Sequence, residues 1–525
     1  WPKHFFLLLT LASKENVKTN DAGMDEEKEH YPDFQWMKDK GIKVDLVLIS
    51  HFHLDHIGAL PRFTEIFGYE GDVYASEPTK SVAPMLLRDY AGLRRRGTKN
   101  ATVFSETQMN RCVEKIKTLN LQEPIVVDGM EIKAYYAGHV LGAVMFHVKY
   151  QGQSVMYTGD YNMTADRHLG AAKIDRPLWP DVVITECTYA LTNHNSKLTR
   201  ERDFLRLVHS HVTVTKGRVL IPVFTLGAVQ EMSMLLEQHW ERTKCKVPIY
   251  FAQGMMEKAQ TYYRSFAKWG PSEADEESVF NFRHIRPMSD KMRREFRRND
   301  DNDESVITED VEPCIVFASP GMLAGGLSLE IFRKWHKFES TLVLIPGYCS
   351  GGTTGYRLQE AYQAAKRKKN STSHTLGRKK RKRDEDSGFK LKDRGLDLQV
   401  RCEVKSMSFA SHVDSLGIMR FLRQCQPRHV VLVHSEASKM VRFKKKLATH
   451  IPGLPVYDPA NKTMTRISTS ITTTEKTKNN SDSKILKSLT DRWCDMITKR
   501  FEGGGGAVVS SSFLEATDGC PGCTW

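Results

Sequence analysis

Four potential metal ligands lie close together in the HxHxDH motif at residues 51–56. His51 and His53 are two residues apart, and in an extended chain this spacing directs both imidazoles to the same side. Four ligands in six residues exceed what one ion needs, so the motif suits two ions, with the His pair on one and Asp55 and His56 on the other. The alternative is a polar surface loop whose histidines bind no metal. If the motif held only one His pair, that alternative would be favoured. The motif therefore predicts a metal-dependent hydrolase.

Further candidate ligands follow later apolar segments. His139 lies between Gly138 and Gly142, and glycines allow the backbone to approach a metal site closely. Asp160 and His434 each come directly after an apolar run. A carboxylate can bridge two cations and an imidazole cannot, so we expect Asp160 to bridge and His434 to complete the second site. Each of these residues alone is more often structural, but together with the motif they form a ligand set.

Alternating apolar and amphipathic segments predict the elements that position these residues. Short apolar runs that end at polar clusters are typical of strands in a layered α/β fold, where site residues follow the strand ends. Two α/β regions are predicted, one through the first two hundred residues and one from about 198 to 363. Their predicted strands are 44–49, 154–158, 181–185, 218–223, 247–251, 314–318 and 342–345, with helices over 228–243 and 329–337. Strand-like patterns return at 398–412 and 429–434.

The charge balance indicates a polyanionic partner. The chain has 525 residues, a net charge of +14 and a pI near 9.1, which favours nucleic acid, although a basic tail on an ordinary enzyme would give the same balance. Ten Lys or Arg residues fall within 366–383, and this composition predicts a mobile basic loop. The loop could be a nuclear localisation signal, an RNA contact or a solvated segment without such a role.

The cysteines and the chain ends carry little chemistry. Ten cysteines without a framework spacing suit a reducing compartment, and the single CxxC pair of Cys520 and Cys523 is better explained by chance than by zinc. The apolar stretch 5–12 is too short to span a bilayer, so we expect no membrane association. Residues 468–525 are Ser/Thr/Lys-rich and low in periodicity, with one possible helix over 485–501.

An ordered series of motifs resembles the metallo-β-lactamase superfamily and, within it, the β-CASP nucleases. The series is Asp21, the 51–56 motif, His139, Asp160, Glu186, His412 and His434. The resemblance covers roughly residues 20–460 and implies an α/β protein, a metallo-β-lactamase αββα sandwich with an inserted β-CASP α/β domain. The implied parts are 1–190 and 405–467 for the lactamase domain, 191–404 for the insertion with its basic loop at 366–383, and 468–525 for a weakly matched C-terminal region.

The resemblance also implies a role for each motif residue. Two Zn²⁺ ions are implied: one would be held by His51, His53 and His139, and the other by Asp55, His56 and His434. Asp160 would bridge the ions and take part in catalysis. Glu186 and His412 would be a catalytic pair beside the metals, with His412 as the proton donor to the leaving oxygen. Asp21 would not bind a metal itself but would hold the loop with the 51–56 motif in place.

The branch of the family can be narrowed by particular segments. A His at the last motif resembles the RNA-processing branch rather than the DNA-repair branch, and residues 158–163 and 166–172 resemble its Integrator-type members. This implies a zinc-dependent RNA endonuclease in nuclear 3′-end processing of snRNA and other nascent transcripts. Its expected partners are RNA, an inactive β-CASP paralogue and other subunits of an Integrator-like complex.

Two alternatives remain open at this point. One is another enzyme: a polyadenylation-type pre-mRNA 3′-end endonuclease of the same branch, or a 5′ exonuclease of the same superfamily. The other is a catalytically impaired scaffold subunit, because position 228 is Ala where the family usually has Arg. We find no RNA-recognition motif with interleaved aromatic residues, so we expect partners rather than this chain to provide sequence specificity.

Overall fold

The structure is a computed structural model in which β-strands and α-helices alternate along the chain. It describes residues 5–8, 32–97, 104–175, 178–251, 255–270, 282–297, 312–347, 349, 351–375, 388–393, 396–409, 411–461, 463, 465–467 and 515–516. The strands are β1 Phe5–Leu8, β2 Leu46–Ile49, β3 Asp72–Ser76, β4 Ile116–Leu119, β5 Ile125–Val127, β6 Met130–Tyr136, β7 Val144–Tyr150, β8 Gln153–Tyr157, β9 Val182–Glu186, β10 Arg218–Pro222, β11 Ile249–Phe251, β12 Ile285–Pro287, β13 Cys314–Ala318, β14 Thr341–Ile345, β15 Phe389–Asp393, β16 Leu396–Val400, β17 Glu403–Ser406, β18 His429–Val433, β19 Val456–Tyr457 and β20 Glu515–Ala516. The helices are α1 Phe34–Asp39, α2 Leu54–Ile57, α3 Leu60–Glu65, α4 Glu77–Gly97, α5 Glu106–Lys115, α6 Lys197–Thr213, α7 Ala228–Thr243, α8 Met255–Ser265, α9 Asp290–Arg297, α10 Gly326–Trp335, α11 Thr354–Thr375, α12 Ser415–Cys425 and α13 Ala437–His450.

Two facing β-sheets form the first domain. One sheet has the order β20-β1-β2-β3-β4 and the other β19-β18-β9-β8-β7-β6-β5. Alternate side chains of a strand face opposite sides of its sheet, so Leu46 and Leu48 pack against the second sheet while Val47 and Ile49 pack against helices. Helices α12 and α13 cover the outer face of the second sheet. The result is the αββα sandwich that the motifs predicted.

The second sheet joins two distant parts of the chain. Strand β18 pairs in parallel with β9, and Val433 lies opposite Glu186 in the register. The residues that follow the two strands, Cys187 and His434, are therefore neighbours although the inserted domain separates them in sequence. This pairing brings the last predicted ligand to the edge where Glu186 lies.

The inserted domain is a six-stranded parallel sheet with the order β12-β11-β13-β10-β14-β17. Val219 and Ile221 of β10 pack against α6 and α7, and Leu220 packs on the opposite face with α10 and α11. Strands buried on both faces read as continuous apolar runs, which explains why β10, β13 and β14 were visible in the sequence. Strand β17 belongs to this sheet and spans the predicted domain boundary between 404 and 405.

The basic segment differs from the prediction. Residues 366–375 are not a loop, because α11 continues through Thr375, and residues 376–383 lie outside the described part of the chain. Lys and Arg have high helix propensity, so a basic composition does not end a helix that has already begun. Asp21, Cys520, Cys523 and the possible helix at 485–501 also lie outside the described residues.

Two further sequence expectations concern membranes and cysteines. Within the described ranges, no helix has both the length and the apolar character that crossing a bilayer requires. Seven cysteines in those ranges are unpaired, and six of them are buried. Burial raises the pKa of several of these thiols, for example Cys425 and Cys112 to about 12, which suits packing rather than reactivity.

Candidate metal centre

The HxHxDH motif turns sharply where β2 ends. His51 continues the extended chain, and His53 is the residue that precedes the short helix α2. The His56 amide donates to the His53 carbonyl at 2.9 Å. Asp55 and His56 consequently lie on a helical turn, while His51 and His53 lie on extended backbone. The change of backbone conformation within six residues separates the ligands into two groups.

The first group is three histidines whose ring nitrogens converge. His51 Nε2 and His139 Nε2 lie 3.0 and 3.1 Å from His53 Nδ1, and Asp160 Oδ2 lies 3.6 Å from His51 Nε2. The loop with His139 approaches its neighbours closely, because a Cβ at Gly138 would come within 2.8 Å of the Gly170 carbonyl oxygen. Gly138 also has a φ of +82°, which favours glycine.

The second group contains Asp55, His56, Asp160 and His434. His56 Nε2 lies 3.2 Å from Asp160 Oδ2, and His434 Nε2 lies 3.1 Å from Asp55 Oδ2. His434 has a φ of +59°, which is uncommon for a residue other than glycine and costs free energy that the surrounding structure must offset. This backbone conformation occurs directly after β18, at the point where the His434 ring joins the site.

Several buried polar atoms of this centre have no hydrogen-bond partner. Both carboxylate oxygens of Asp160 and both ring nitrogens of His56 lack one, although the two residues are only 1–2 % exposed. Leaving such groups unsatisfied is costly unless another partner is present. Imidazole nitrogens and carboxylate oxygens are ligands that zinc takes, and ligands at about 2.0–2.1 Å from a tetrahedral ion lie about 3.3 Å apart. The donor set therefore fits a metal cofactor.

Burial and neighbouring charges set the protonation of the ligands. Burial lowers the pKa of His53 to about 4 and holds the pKa values of His51 and His139 well below the usual range, so these rings are neutral near pH 7, as metal ligands must be. Burial also disfavours a charged His434, but Asp160 and Asp55 outweigh it and raise the pKa of His434 to about 10. Burial alone would raise the pKa of Asp160, yet His434 and His56 hold it well below the ordinary value.

A His–Glu pair lies beside the two metal-ligand groups. His412 Nδ1 lies 2.9 Å from Glu186 Oε2 and 3.8 Å from Asp160 Oδ2. The Tyr161 amide donates to Glu186 Oε1 at 3.0 Å, which fixes the carboxylate. Burial disfavours the charged form of His412, but Glu186 and then Asp160 outweigh it and raise its pKa. A histidine held in its charged form by a carboxylate is suited to proton donation.

The structure places nine predicted site residues together. They are His51, His53, Asp55, His56, His139, Asp160, Glu186, His412 and His434. Ala228 begins α7 directly after Gly227, and a Cβ at Gly227 would lie 3.7 Å from Val140 of the His139 loop, so the end of α7 borders the site.

The sequence interpretation missed the residues that hold the ligands. Ser50 Oγ lies 3.1 Å from His51 Nδ1, and the Ser411 carbonyl lies 2.8 Å from His139 Nδ1. Thr188 Oγ1 lies 2.6 Å from Glu186 Oε2 and 2.8 Å from His434 Nδ1. Thr188 is two residues after Glu186, so its closeness in sequence to a predicted site residue was the available signal.

Comparison with known proteins agrees with this architecture. Three family models match the chain: a Metallo-beta-lactamase superfamily domain over residues 15–179, a Beta-Casp domain over 229–358, and a Zn-dependent metallo-hydrolase RNA specificity domain over 397–458. The chain therefore belongs to the metallo-β-lactamase superfamily, in the group with an inserted Beta-Casp domain.

Within that group, the chain is similar to named RNA-processing proteins. It is 42% identical over 474 residues to Integrator complex subunit 11 of Gallus gallus, which covers 88% of this chain and 72% of the relative. It is 39% identical over 454 residues to Cleavage and polyadenylation specificity factor subunit 3-II of Arabidopsis thaliana, covering 84% and 67%. It is also 31% identical over 448 residues to Endoribonuclease YSH1 of Saccharomyces cerevisiae, covering 80% and 52%.

Proposed function

We propose that this protein is a zinc-dependent RNA endonuclease that uses two Zn²⁺ ions. The observation that carries the proposal is the convergence of buried, unpartnered donor atoms on Asp160, directly beside the His412–Glu186 pair. A metal-ligand set alone would suit many hydrolases. A metal-ligand set with an adjacent proton donor suits a reaction whose leaving group is a poorly stabilised alkoxide, such as the 3′ oxygen of a ribose.

The residues divide naturally between two ions. His51, His53 and His139 would hold one ion, and Asp55, His56 and His434 would hold the other, with Asp160 common to both groups. When bound, the two ions supply a lowered pKa for a water nucleophile and positive charge for the phosphodiester oxygens. The neutral state of the first three rings and the ionised state of Asp160 are the forms that bind metal.

The proton donor acts from the side of the centre. Glu186 accepts the Nδ1 proton of His412, so Nε2 of the same ring is the atom that can donate to the leaving oxygen. Glu186 and then Asp160 raise the pKa of His412, which favours the charged imidazole that proton donation needs. In-line attack followed by protonation of the departing oxygen leaves a 3′ hydroxyl and a 5′ phosphate.

Several observations support RNA as the substrate and a nuclear complex as the setting. The match over 397–458 is to an RNA specificity domain, and the net charge of +14 favours a polyanion. The relatives named above belong by their names to the Integrator complex and to cleavage and polyadenylation. We therefore propose action in nuclear 3′-end processing within an Integrator-like complex, together with a β-CASP paralogue and other subunits.

A polyadenylation-type endonuclease is the second candidate. The relatives of that type share fewer identical residues with the chain, 39% and 31% against 42%, but they match it over a similar length. A scaffold role is disfavoured by the complete ligand set, in spite of Ala228. Mass spectrometry of the subunits that co-purify with the chain separates the two complexes directly.

The catalytic proposal is tested with a defined RNA that is blocked at its 5′ end. We expect internal cuts by the zinc-loaded protein, products with 5′ phosphates, loss of cleavage on chelation and recovery on adding zinc. About two zinc ions per chain should be bound. Absence of bound zinc together with absence of cleavage, in the presence of its co-purifying subunits, would contradict the proposal. Cleavage only of RNA with a free 5′ end would indicate an exonuclease instead.

A further inference from the structure

The Thr188 hydroxyl lies between the two functional parts of the centre. It is 2.6 Å from Glu186 Oε2, which belongs to the proton-donor pair, and 2.8 Å from His434 Nδ1, which belongs to the second metal-ligand group. Thr188 is not itself in any of the ligand groups. It is the kind of residue that acts on the site only through the side chains that it contacts.

The hydrogen count at this hydroxyl determines the direction of both contacts. A hydroxyl has one hydrogen, and two acceptors lie near it: Glu186 Oε2 at 2.6 Å and the His434 carbonyl oxygen at 3.3 Å. The nearer, carboxylate oxygen takes the hydrogen, so Thr188 donates to Glu186. Towards His434 the same oxygen can then only accept, and Nδ1 of that ring must carry a hydrogen. Nε2 of His434 is consequently the nitrogen that can give up its proton to a metal ion, on the side where Asp55 Oδ2 lies 3.1 Å away.

We propose that Thr188 is a positioning residue that fixes the metal-binding tautomer of His434 and at the same time orients Glu186 beneath His412. The role rests on the two-ion part of the proposed function. One hydroxyl thereby couples the second metal ion to the proton donor. If the hydroxyl donated its hydrogen to His434, it could no longer donate it to Glu186.

The backbone around Thr188 is held firmly enough for this role. The Cys187 amide donates to the Val433 carbonyl at 3.1 Å, and Tyr189 forms a bridge with Asp414, two residues after His412. The segment with Thr188 is therefore fixed to the segments that contain His434 and His412.

The first metal-ligand group has comparable supports, which strengthens the inference. His51 Nδ1 faces Ser50 Oγ at 3.1 Å, and His139 Nδ1 faces the Ser411 carbonyl at 2.8 Å. In both rings Nε2 is the atom that faces the ligand cluster. Thr188 is the corresponding support in the second group, and supports of this kind commonly change metal affinity by about 10–100-fold when they are removed.

The test compares zinc affinity in four variants by competition with a chelator of known affinity. Thr188→Val keeps the side-chain shape and removes the hydroxyl, and Thr188→Ser keeps the hydroxyl. Thr185→Val is the control, since the Thr185 hydroxyl lies on the same segment but contacts the Glu186 backbone carbonyl and the Tyr161 hydroxyl instead. Thr188→Ala repeats the hydroxyl removal in case the valine variant does not fold.

We expect Thr188→Val to bind one of its two ions about 10–100-fold more weakly than the wild type, while Thr188→Ser and Thr185→Val bind both normally. The rate of RNA cleavage at saturating zinc should still fall in Thr188→Val, because Glu186 has lost a donor. Equal affinity for both ions in Thr188→Val and the wild type would overturn the inference. Failure of the wild type itself to bind two ions would instead overturn the proposed function, so the two failures are distinguishable.

Discussion

Two groups of largely buried charged side chains in this molecule differ in whether their carboxylates are hydrogen-bonded. One is the metal centre. The other is an interdomain ion cluster, formed by Arg167 and His168 after β8 and by Lys197, Glu201 and Glu231 of α6 and α7. In the metal centre, buried oxygens of Asp160 lack hydrogen-bond partners. In the interdomain ion cluster, Arg167 donates to both Glu201 and Glu231 through its guanidinium, and its amide donates to Glu231 Oε2 at 2.6 Å.

The difference indicates what each group is for. A buried carboxylate whose partners are all present serves the fold, and here it ties the loop that follows Asp160 to the inserted domain. The oxygens of Asp160 instead lack hydrogen bonds and face converging histidine nitrogens, and this is a donor set that fits a metal ion. In these two clusters, the hydrogen bonding of the carboxylates therefore differs more than their burial does.

The largest expected effect comes from removing ligands of the metal centre. The double variant Asp55→Ala/His56→Ala should lose RNA cleavage completely and retain at most one zinc ion per chain, because three ligands of the second group are reduced to one besides Asp160. Circular dichroism should show a folded protein. When zinc has been removed by a chelator, this double substitution should lower the free energy of unfolding by less than Arg167→Met does. Both ring nitrogens of His56 are unsatisfied without metal, so removing them breaks no hydrogen bond.

Zinc-dependent cleavage that persists in this double variant would contradict the site assignment. A fully unfolded double variant would contradict the comparison instead, because it would show that these two side chains serve the fold.

The next effect separates proton donation from metal binding inside the centre. His412→Ala should reduce the cleavage rate by about 10²–10⁴-fold, as expected for loss of a general acid, and should leave two zinc ions bound. Glu186→Gln should cause a smaller loss, since the amide oxygen still accepts from His412 Nδ1 but provides no charge. A loss of zinc from His412→Ala would show that His412 is a ligand rather than the acid.

Much of the metal centre could be predicted from the sequence because its information is local. The spacing in the 51–56 motif determines two ligand groups wherever a strand ends and a helical turn begins. His434 could be predicted because it directly follows an apolar strand, but its positive φ and its pairing through β18 with β9 depend on long-range contacts.

The interdomain ion cluster could not be predicted in this way. Arg167 is 34 residues from Glu201 and 64 from Glu231, and no spacing rule relates such residues. The same limit applies to Thr188 and His434, which are 246 residues apart. The prediction of a loop over 366–375 was wrong for a different reason. It rested on the composition of that segment alone and did not take into account the helix that begins at Thr354.

The third prediction concerns the interdomain ion cluster. Arg167→Met should lower the free energy of unfolding by about 3 kcal/mol, since it leaves two buried carboxylates with Lys197 and His168 as their remaining side-chain partners. Arg88→Met is the matched control, because Arg88 and Glu106 form an exposed pair that should contribute no more than about 1 kcal/mol. Urea denaturation measures both.

Zinc content should be unchanged in Arg167→Met, because Arg167 is not in any of the metal-ligand groups. Equal stability losses in the Arg167 and Arg88 variants would show that the interdomain ion cluster has no special structural role, and the comparison between the two clusters would fail.

The smallest expected effect is the acid sensitivity of the same cluster. Burial alone would raise the pKa of Glu231, but His168 and Lys197 outweigh it and lower the pKa to about 2. Because the folded pKa is below that of the unfolded chain, the stabilisation by Glu231 is complete above about pH 4.5 and is lost as the pH falls towards 2. Glu231→Gln should therefore be less stable than the wild type at about pH 7, and the difference should shrink at about pH 3. Denaturation of both proteins after chelation removes the effect of zinc release, and a difference that grows on acidification would show that Glu231 is not held ionised by this cluster.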